Sequence, residues 1–209
     1  LYSMLPIFFF LYLLICLNVG CQQNPILKNV QYFIEPLFQI EFFKIKSCFW
    51  QRKKKLLNKL LQKHPESLIL DFYSNREKND KEPTLNESFI KDFVEIFKEE
   101  FQLISTKYNS KIKLDSIWSV TYKKNQFHVP HNHGSTGYAA ILYVDMNKTS
   151  PVTTYIRPWN NTETDTTVFT DPPVEEGDLV IVPQFLTHFT HPNKTSFKKR
   201  IVSFDFHLI

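Results

Sequence analysis

Six of the seven histidines in this chain of 209 residues fall after residue 127, at positions 128, 131, 133, 188, 191 and 207. Imidazole nitrogens bind Fe, Zn, Cu or Ni, so such a cluster is first of all a candidate metal site. Side chains two residues apart on a strand point to the same face, and His131 and His133 form such a pair. A third ligand from a distant strand would complete a facial cap with open positions opposite. His188, 57 residues on from His131, is the natural candidate. His128 and His191 are expected outside that shell. A lone histidine is more often a surface residue or a satisfied core residue; the constellation is what favours ligation.

Ligands need a rigid frame, and the second half of the chain supplies strands. From Lys111 onward, short apolar or alternating runs are broken by Pro, Asn, Thr and Asp: Leu114–Tyr122, Gly137–Asp145, Val152–Arg157, Asp178–Pro183 and Arg200–Leu208. The Thr/Asn-rich stretch Asn160–Thr170 reads as a surface loop. Upstream, Trp50 to Lys63 carries Leu56, Leu57, Leu60 and Leu61 at helical spacing, with the run Arg52-Lys53-Lys54-Lys55 as its wet face. Thr84 with Glu87 three residues on forms a capping box, and Phe89, Phe93, Phe97 and Phe101 follow at i+4 intervals. That predicts a second helix to about Ile104, its aromatic stripe packed on a sheet. Two helices followed by several strands predict an α+β fold in which the helices back one face of an antiparallel barrel or sandwich.

Composition bounds the function. A hydrophobic content of 43% with twenty Phe excludes disorder, and 209 residues suit one domain. A formal charge of +4, much of it in one lysine run, gives no footprint for nucleic acid. Three cysteines (Cys16, Cys21, Cys48) are too few for a disulfide scaffold or a cysteine zinc site. Leu5–Val19 is an uncharged apolar stretch of 15 residues, short of the roughly 20 that span a bilayer, and reads as a signal peptide. The expected organisation is therefore a leader over 1–20, a helical support region over 21–110 and a strand-built core over 111–209, with no membrane span in the mature chain. Sequons at Asn86, Asn147, Asn160 and Asn193 would suit a secreted glycoprotein where they are exposed.

Six segments follow one another in order: Trp118-Ser119-Val120-Thr121-Tyr122, Phe127-His128-Val129-Pro130-His131-Asn132-His133, Ile141-Leu142-Tyr143-Val144-Asp145, Glu176 through Pro183, His188 with Pro192-Asn193, and Arg200-Ile201-Val202-Ser203-Phe204-Asp205. In this the chain resembles the 2-oxoglutarate/Fe(II) oxygenases related to prolyl hydroxylases, closely from Trp118 to Phe206 and weakly upstream through Pro36-Leu37-Phe38 and Tyr73-Ser74-Asn75. The resemblance implies a double-stranded β-helix of the jelly-roll, cupin-like kind. It makes His131 the first metal ligand and His188 the distal one, with His133 standing where prolyl hydroxylases have Asp, hence a three-His site. It also implies a basic anchor for the distal carboxylate of 2-oxoglutarate. Arg200, 12 residues after His188, is the first candidate. Lys199, which keeps the family's spacing of four to Ser203, is the second, with Tyr122 and Tyr143 in the same pocket. The implied activity is a non-haem iron dioxygenase using Fe(II), 2-oxoglutarate and O₂, with ascorbate as accompanying reductant, that hydroxylates a protein side chain or a small molecule.

Two other readings fit the same residues: a cupin-like metal dioxygenase that uses no 2-oxoglutarate, and a secreted binding module without turnover. A cytoplasmic or virus-encoded setting likewise stands beside the secretory one. Whether the three histidines converge, and whether a basic side chain faces the same cavity, separates the functional readings.

Overall fold

The computed structural model describes residues 40–63 and 87–209. The leader, the Thr84 cap, the Asn86 sequon and the upstream family-like segments lie outside the described residues. Among the described residues three helices and nine strands follow in chain order: β1 (Phe43–Lys46), α1 (Trp50–Lys63), α2 (Glu87–Ile96), α3 (Lys98–Tyr108), β2 (Ile112–Tyr122), β3 (His128–His131), β4 (Tyr138–Asp145), β5 (Thr153–Ile156), β6 (Phe169–Thr170), β7 (Asp178–Pro183), β8 (His188–Thr190) and β9 (Lys199–Leu208). The strands form two antiparallel sheets, a five-stranded one ordered β1-β7-β4-β9-β2 and a four-stranded one ordered β3-β8-β5-β6. This is the double-stranded β-helix, an α+β fold. Among the described residues no helix is long and apolar enough to cross a membrane.

Strand alternation splits the large sheet into two chemically different faces. On β9, Val202, Phe204 and Phe206 join the helix residues Leu57, Phe93 and Phe101 in one core, while Ile201 joins Val120, Tyr122, Ile141 and Tyr143 in a second core. The Phe stripe does what its spacing predicts. Phe93 sits against Phe97 at 4.8 Å, Phe101 at 6.1 Å and the strand residue Phe204 at 5.7 Å between ring centroids. The expected single helix is broken at Phe97, whose φ of −111° and ψ of 26° are not helical. Phe97 N still bonds Phe93 O and Phe101 N bonds Phe97 O, so the stripe runs on through the break.

The lysine run is only partly a wet face. Arg52 and Lys55 are exposed, but Lys53 is buried, its ammonium 2.7 Å from Glu100 and 2.9 Å from Glu99. A charge taken out of water needs such partners. Lys54 bridges Asp145 at 2.7 Å and Glu176 at 2.8 Å. Leu57, Leu60 and Leu61 are buried as expected, whereas Leu56 is exposed. Helix α1 is docked by a glycine: Gly177 has φ +86°, and a Cβ there would lie 2.8 Å from the Trp50 ring. Trp50 Nε1 donates to Glu176 beside it, so the Glu176-Gly177 turn serves helix docking.

The expected support region is not purely helical. Its β1 pairs with β7 and extends the large sheet by a strand. The sequence reading also missed β3 and β8, and β6 closes the end of the Asn160–Thr170 loop. Asn147 and Asn160 are exposed, but Asn193 is wholly buried, its amide donating to Tyr122 O and Phe197 O. A glycan has no room at Asn193; that residue stitches two loops together.

Candidate metal and co-substrate site

Strand register brings the histidines together. In the small sheet β8 lies between β3 and β5, and His188 is the cross-strand neighbour of His131 on one side and Tyr155 on the other. His133 lies just past β3, where its backbone N–H bonds Gln184 O in the turn that leads into β8. The pair His131/His133 thus faces one way although only the first belongs to the strand. The ligand atoms of His131, His133 and His188 all lie within 4.8 Å of one another. A metal with bonds of about 2.1 Å needs donors no more than about 4 Å apart, so small ring rotations suffice to close the cap.

Each ring is oriented from behind through Nδ1. His131 Nδ1 is 2.8 Å from Val129 O, His188 Nδ1 is 3.0 Å from Leu186 O, and His133 Nδ1 is 2.7 Å from the Asp205 carboxylate. With Nδ1–H donating outward, Nε2 of each ring keeps its lone pair for the common point. Burial, helped by the neighbouring His131, pushes His188 down to about 3, so its imidazole is neutral and ready to ligate. His128 packs tilted against His131, ring centres 3.9 Å apart, and His191 packs edge-on to Phe189 at 4.8 Å; neither joins the cluster, as expected.

One small cavity is shared by the three histidines, Trp118, Tyr122, Thr153 and Thr190. The parity of β9 separates the two basic candidates. Lys199 pairs with Tyr122 and shares the inner face with Ile201, whereas Arg200 shares the outer face with Val202. Arg200, the first candidate, therefore lies on the face turned to the helices. Arg200 Nε lies 2.7 Å from Asp145 and its Nη2 donates to Asn58 of α1, which ties the helix layer to the sheet. Lys199 is fully buried, with its ammonium 4.8 Å from the Tyr122 ring centre and 5.6 Å from that of Tyr143, and no hydrogen-bond partner among the described residues. Desolvation alone pushes its amine down to about 7.

Tyr122 lines the cavity, and Tyr143 lies in the same inner core beside Lys199. Burial pushes Tyr143 up to about 12 and Tyr122 higher still. Two participants were missed. Tyr155 is buried beside His188, ring centres 5.6 Å apart, with its hydroxyl unpartnered. Alternation within Val152–Arg157 could have assigned Tyr155 to a face, but no local motif marked it. Asp205 stood at the end of a quoted segment, yet nothing local in the sequence tied it to His133, 72 positions away.

The residues present fit an iron and a 2-oxoglutarate. Three neutral imidazole donors suit Fe(II) and leave positions open, and an orphaned buried ammonium with an orphaned phenol suits a carboxylate. Comparison with known proteins agrees. A family model described as "Putative 2OG-Fe(II) oxygenase" matches residues 116–205, a span that holds all three histidines and Lys199. An oxidoreductase of the 2OG-Fe(II) oxygenase family from Burkholderia pseudomallei superposes with a TM-score of 0.56 at 7% identity, covering 79% of this chain and 83% of its own. HygX from Streptomyces hygroscopicus, with nickel and 2-oxoglutarate bound, gives 0.54 at 14%, covering 79% and 81%. AviO1 from Streptomyces viridochromogenes Tue57 gives 0.51 at 16%, covering 79% and 88%. At such identities the likeness is one of fold. Among curated proteins none matches this sequence. Over residues 116–205 the strand-built core is thus similar to the 2OG-Fe(II) oxygenase family.

Proposed function

We propose that the protein hydroxylates a protein side chain or a small molecule, with Fe(II) held by His131, His133 and His188 and 2-oxoglutarate anchored by Lys199. The observation that carries this reading is the orphaned ammonium of Lys199. Tyr122 lines the cavity of the three histidines and its ring touches the lysine, so cation and imidazoles belong to one barrel interior. A metal site without a dicarboxylate co-substrate would have no use for a buried, unpaired cation, which costs several kcal/mol to hold. When bound, the iron and 2-oxoglutarate supply the oxidising chemistry, with O₂ as the other substrate.

The chain's own residues do the rest. Lys199 receives the distal carboxylate, and the Tyr122 and Tyr143 rings over it keep water away and strengthen the pairing. The unpartnered Tyr155 hydroxyl, beside His188, offers a donor toward the same co-substrate. The backbone carbonyls of Val129 and Leu186 hold two imidazoles in the tautomer that ligates. The 5–19 stretch would direct the chain to the secretory pathway, and the exposed Asn147 and Asn160 sequons accord with that setting.

Anaerobic titration with Fe(II), with and without 2-oxoglutarate, tests the reading through the weak visible absorption of the iron chelate. The wild type should develop the band only with both present. Lys199→Met should lose it at 2-oxoglutarate concentrations that saturate the wild type, since removing one partner of a buried charge pair costs about 3–5 kcal/mol, or two to three and a half decades. Arg200→Met should keep it. Iron binding with no response to 2-oxoglutarate would hand the site to the cupin-like alternative.

A further inference from the structure

We propose that Asp205 is a positioning residue that gives the three-histidine site its negative charge, acting on the metal through His133. This rests on the assignment of His131, His133 and His188 as ligands. The three rings are not supported alike. Two Nδ1 atoms face backbone carbonyls two residues earlier, Val129 O and Leu186 O, which are neutral acceptors. The third faces a carboxylate at 2.7 Å, the shortest of the three contacts.

Three neutral imidazoles bring no charge to a divalent ion, and such a site depends on the next layer for neutralisation. Among the described residues Asp205 pairs with no lysine or arginine; its other partner there is the Ser116 hydroxyl at 3.3 Å. The placement is built into the strand pairing. A register shift at Leu114/Ser116 puts Ser116 rather than Asp115 opposite Asp205. A bulge of this kind re-aims side chains next to functional sites. Asp115 is sent instead to His207, the next inward residue of β9, and its carboxylate is spent on that ring. Asp205 keeps its Oδ1 for His133, with the Ser116 hydroxyl on Oδ2. A carboxylate that accepts Nδ1–H increases the basicity of Nε2, so the anion acts on the metal without occupying a coordination position.

The test separates charge from structure. Co(II) or anaerobic Fe(II) is titrated into the whole chain, followed by 2-oxoglutarate into the metal-saturated protein. His188→Ala should abolish metal binding; if it does not, the ligand assignment fails and the role of Asp205 falls with it. Asp205→Asn keeps an acceptor oxygen for His133 and removes the charge. Metal affinity should fall about 10- to 100-fold, while 2-oxoglutarate, an anion meeting a more positive metal, should bind the saturated variant at least as tightly as the wild type. Metal affinity within twofold of the wild type, or a parallel loss of both affinities, overturns the proposal. A double-mutant cycle covers the case in which Asp205→Asn folds poorly. In His133→Asp the ligand itself carries the charge, so adding Asp205→Asn should cost no metal affinity and should relieve the repulsion of two neighbouring carboxylates. A penalty of tenfold or more in that background also overturns it.

Discussion

Desolvation holds the Lys199 amine at about 7 in the folded protein, against 10.5 for an exposed lysine. The consequence for stability has a definite sign. Between pH 7 and 10.5 the unfolded chain binds a proton that the folded chain does not, so stability of the ligand-free protein rises with pH across that window. Below pH 7 both states carry the proton, and the penalty is constant at its largest. A depression of three to four units corresponds to roughly 4–5 kcal/mol. Lys199→Met should therefore raise the urea midpoint of the ligand-free protein at pH 7 and flatten its increase toward pH 10, while removing 2-oxoglutarate binding. Coupled gain of stability and loss of function is the mark of a residue kept for a ligand. A midpoint lowered at pH 7 would mean that the ammonium has a partner in solution. Arg200→Met is the complementary case. It gives up a part-buried pair with Asp145 and a bond to Asn58, about 1 kcal/mol of stability, with co-substrate binding intact.

At the scale of elements, helices and long strands follow from local pattern, and the short strands at the site do not. Trp50–Lys63 is helical over the predicted span because its leucines repeat on one face, and β7 matches Asp178–Pro183 because a continuous apolar run is buried on both sides. The strands β3 and β8, of four and three residues, carry the chemistry yet have no periodicity to read. Their histidines were legible through spacing and family likeness instead. Telling which of Arg200 and Lys199 faces the histidines needs the register of β9 against β2 and β4, including the shift between Tyr143 and Asp145, which no local pattern encodes. The Phe stripe gives a test at this scale. Phe93→Ala removes a fully buried ring that touches rings on α2, α3 and β9, and should cost about 3–5 kcal/mol in urea unfolding. Metal affinity of the folded fraction should not change, because Phe93 belongs to the core on the other face of the sheet.

The whole molecule divides its labour across one sheet. The outer face stores stability in aromatic packing against the helices, and the inner face tolerates polar groups that only a ligand can satisfy. A protein built this way should be stabilised by its ligands in separable steps. Anything that binds only the native state adds RT ln(1 + [L]/Kd), about 2.7 kcal/mol at one hundred times Kd. For a chain of this length each kcal/mol moves the melting temperature by roughly 2–4 °C, so Co(II) or Fe(II) should raise it by about 5–10 °C, and 2-oxoglutarate by a comparable further amount. The order matters, because on the proposed reading 2-oxoglutarate would chelate the metal as well as pair with Lys199. Added without metal, it should give only a small shift. In Lys199→Met the metal increment should survive and the second should vanish; in His188→Ala both should vanish; a chelator should return the wild type to its starting value. Differential scanning fluorimetry at fixed protein concentration, with the additions made in both orders, reads all of these. Equal shifts from 2-oxoglutarate with and without metal would place its binding away from the three histidines and would separate the two halves of the site that the barrel interior joins.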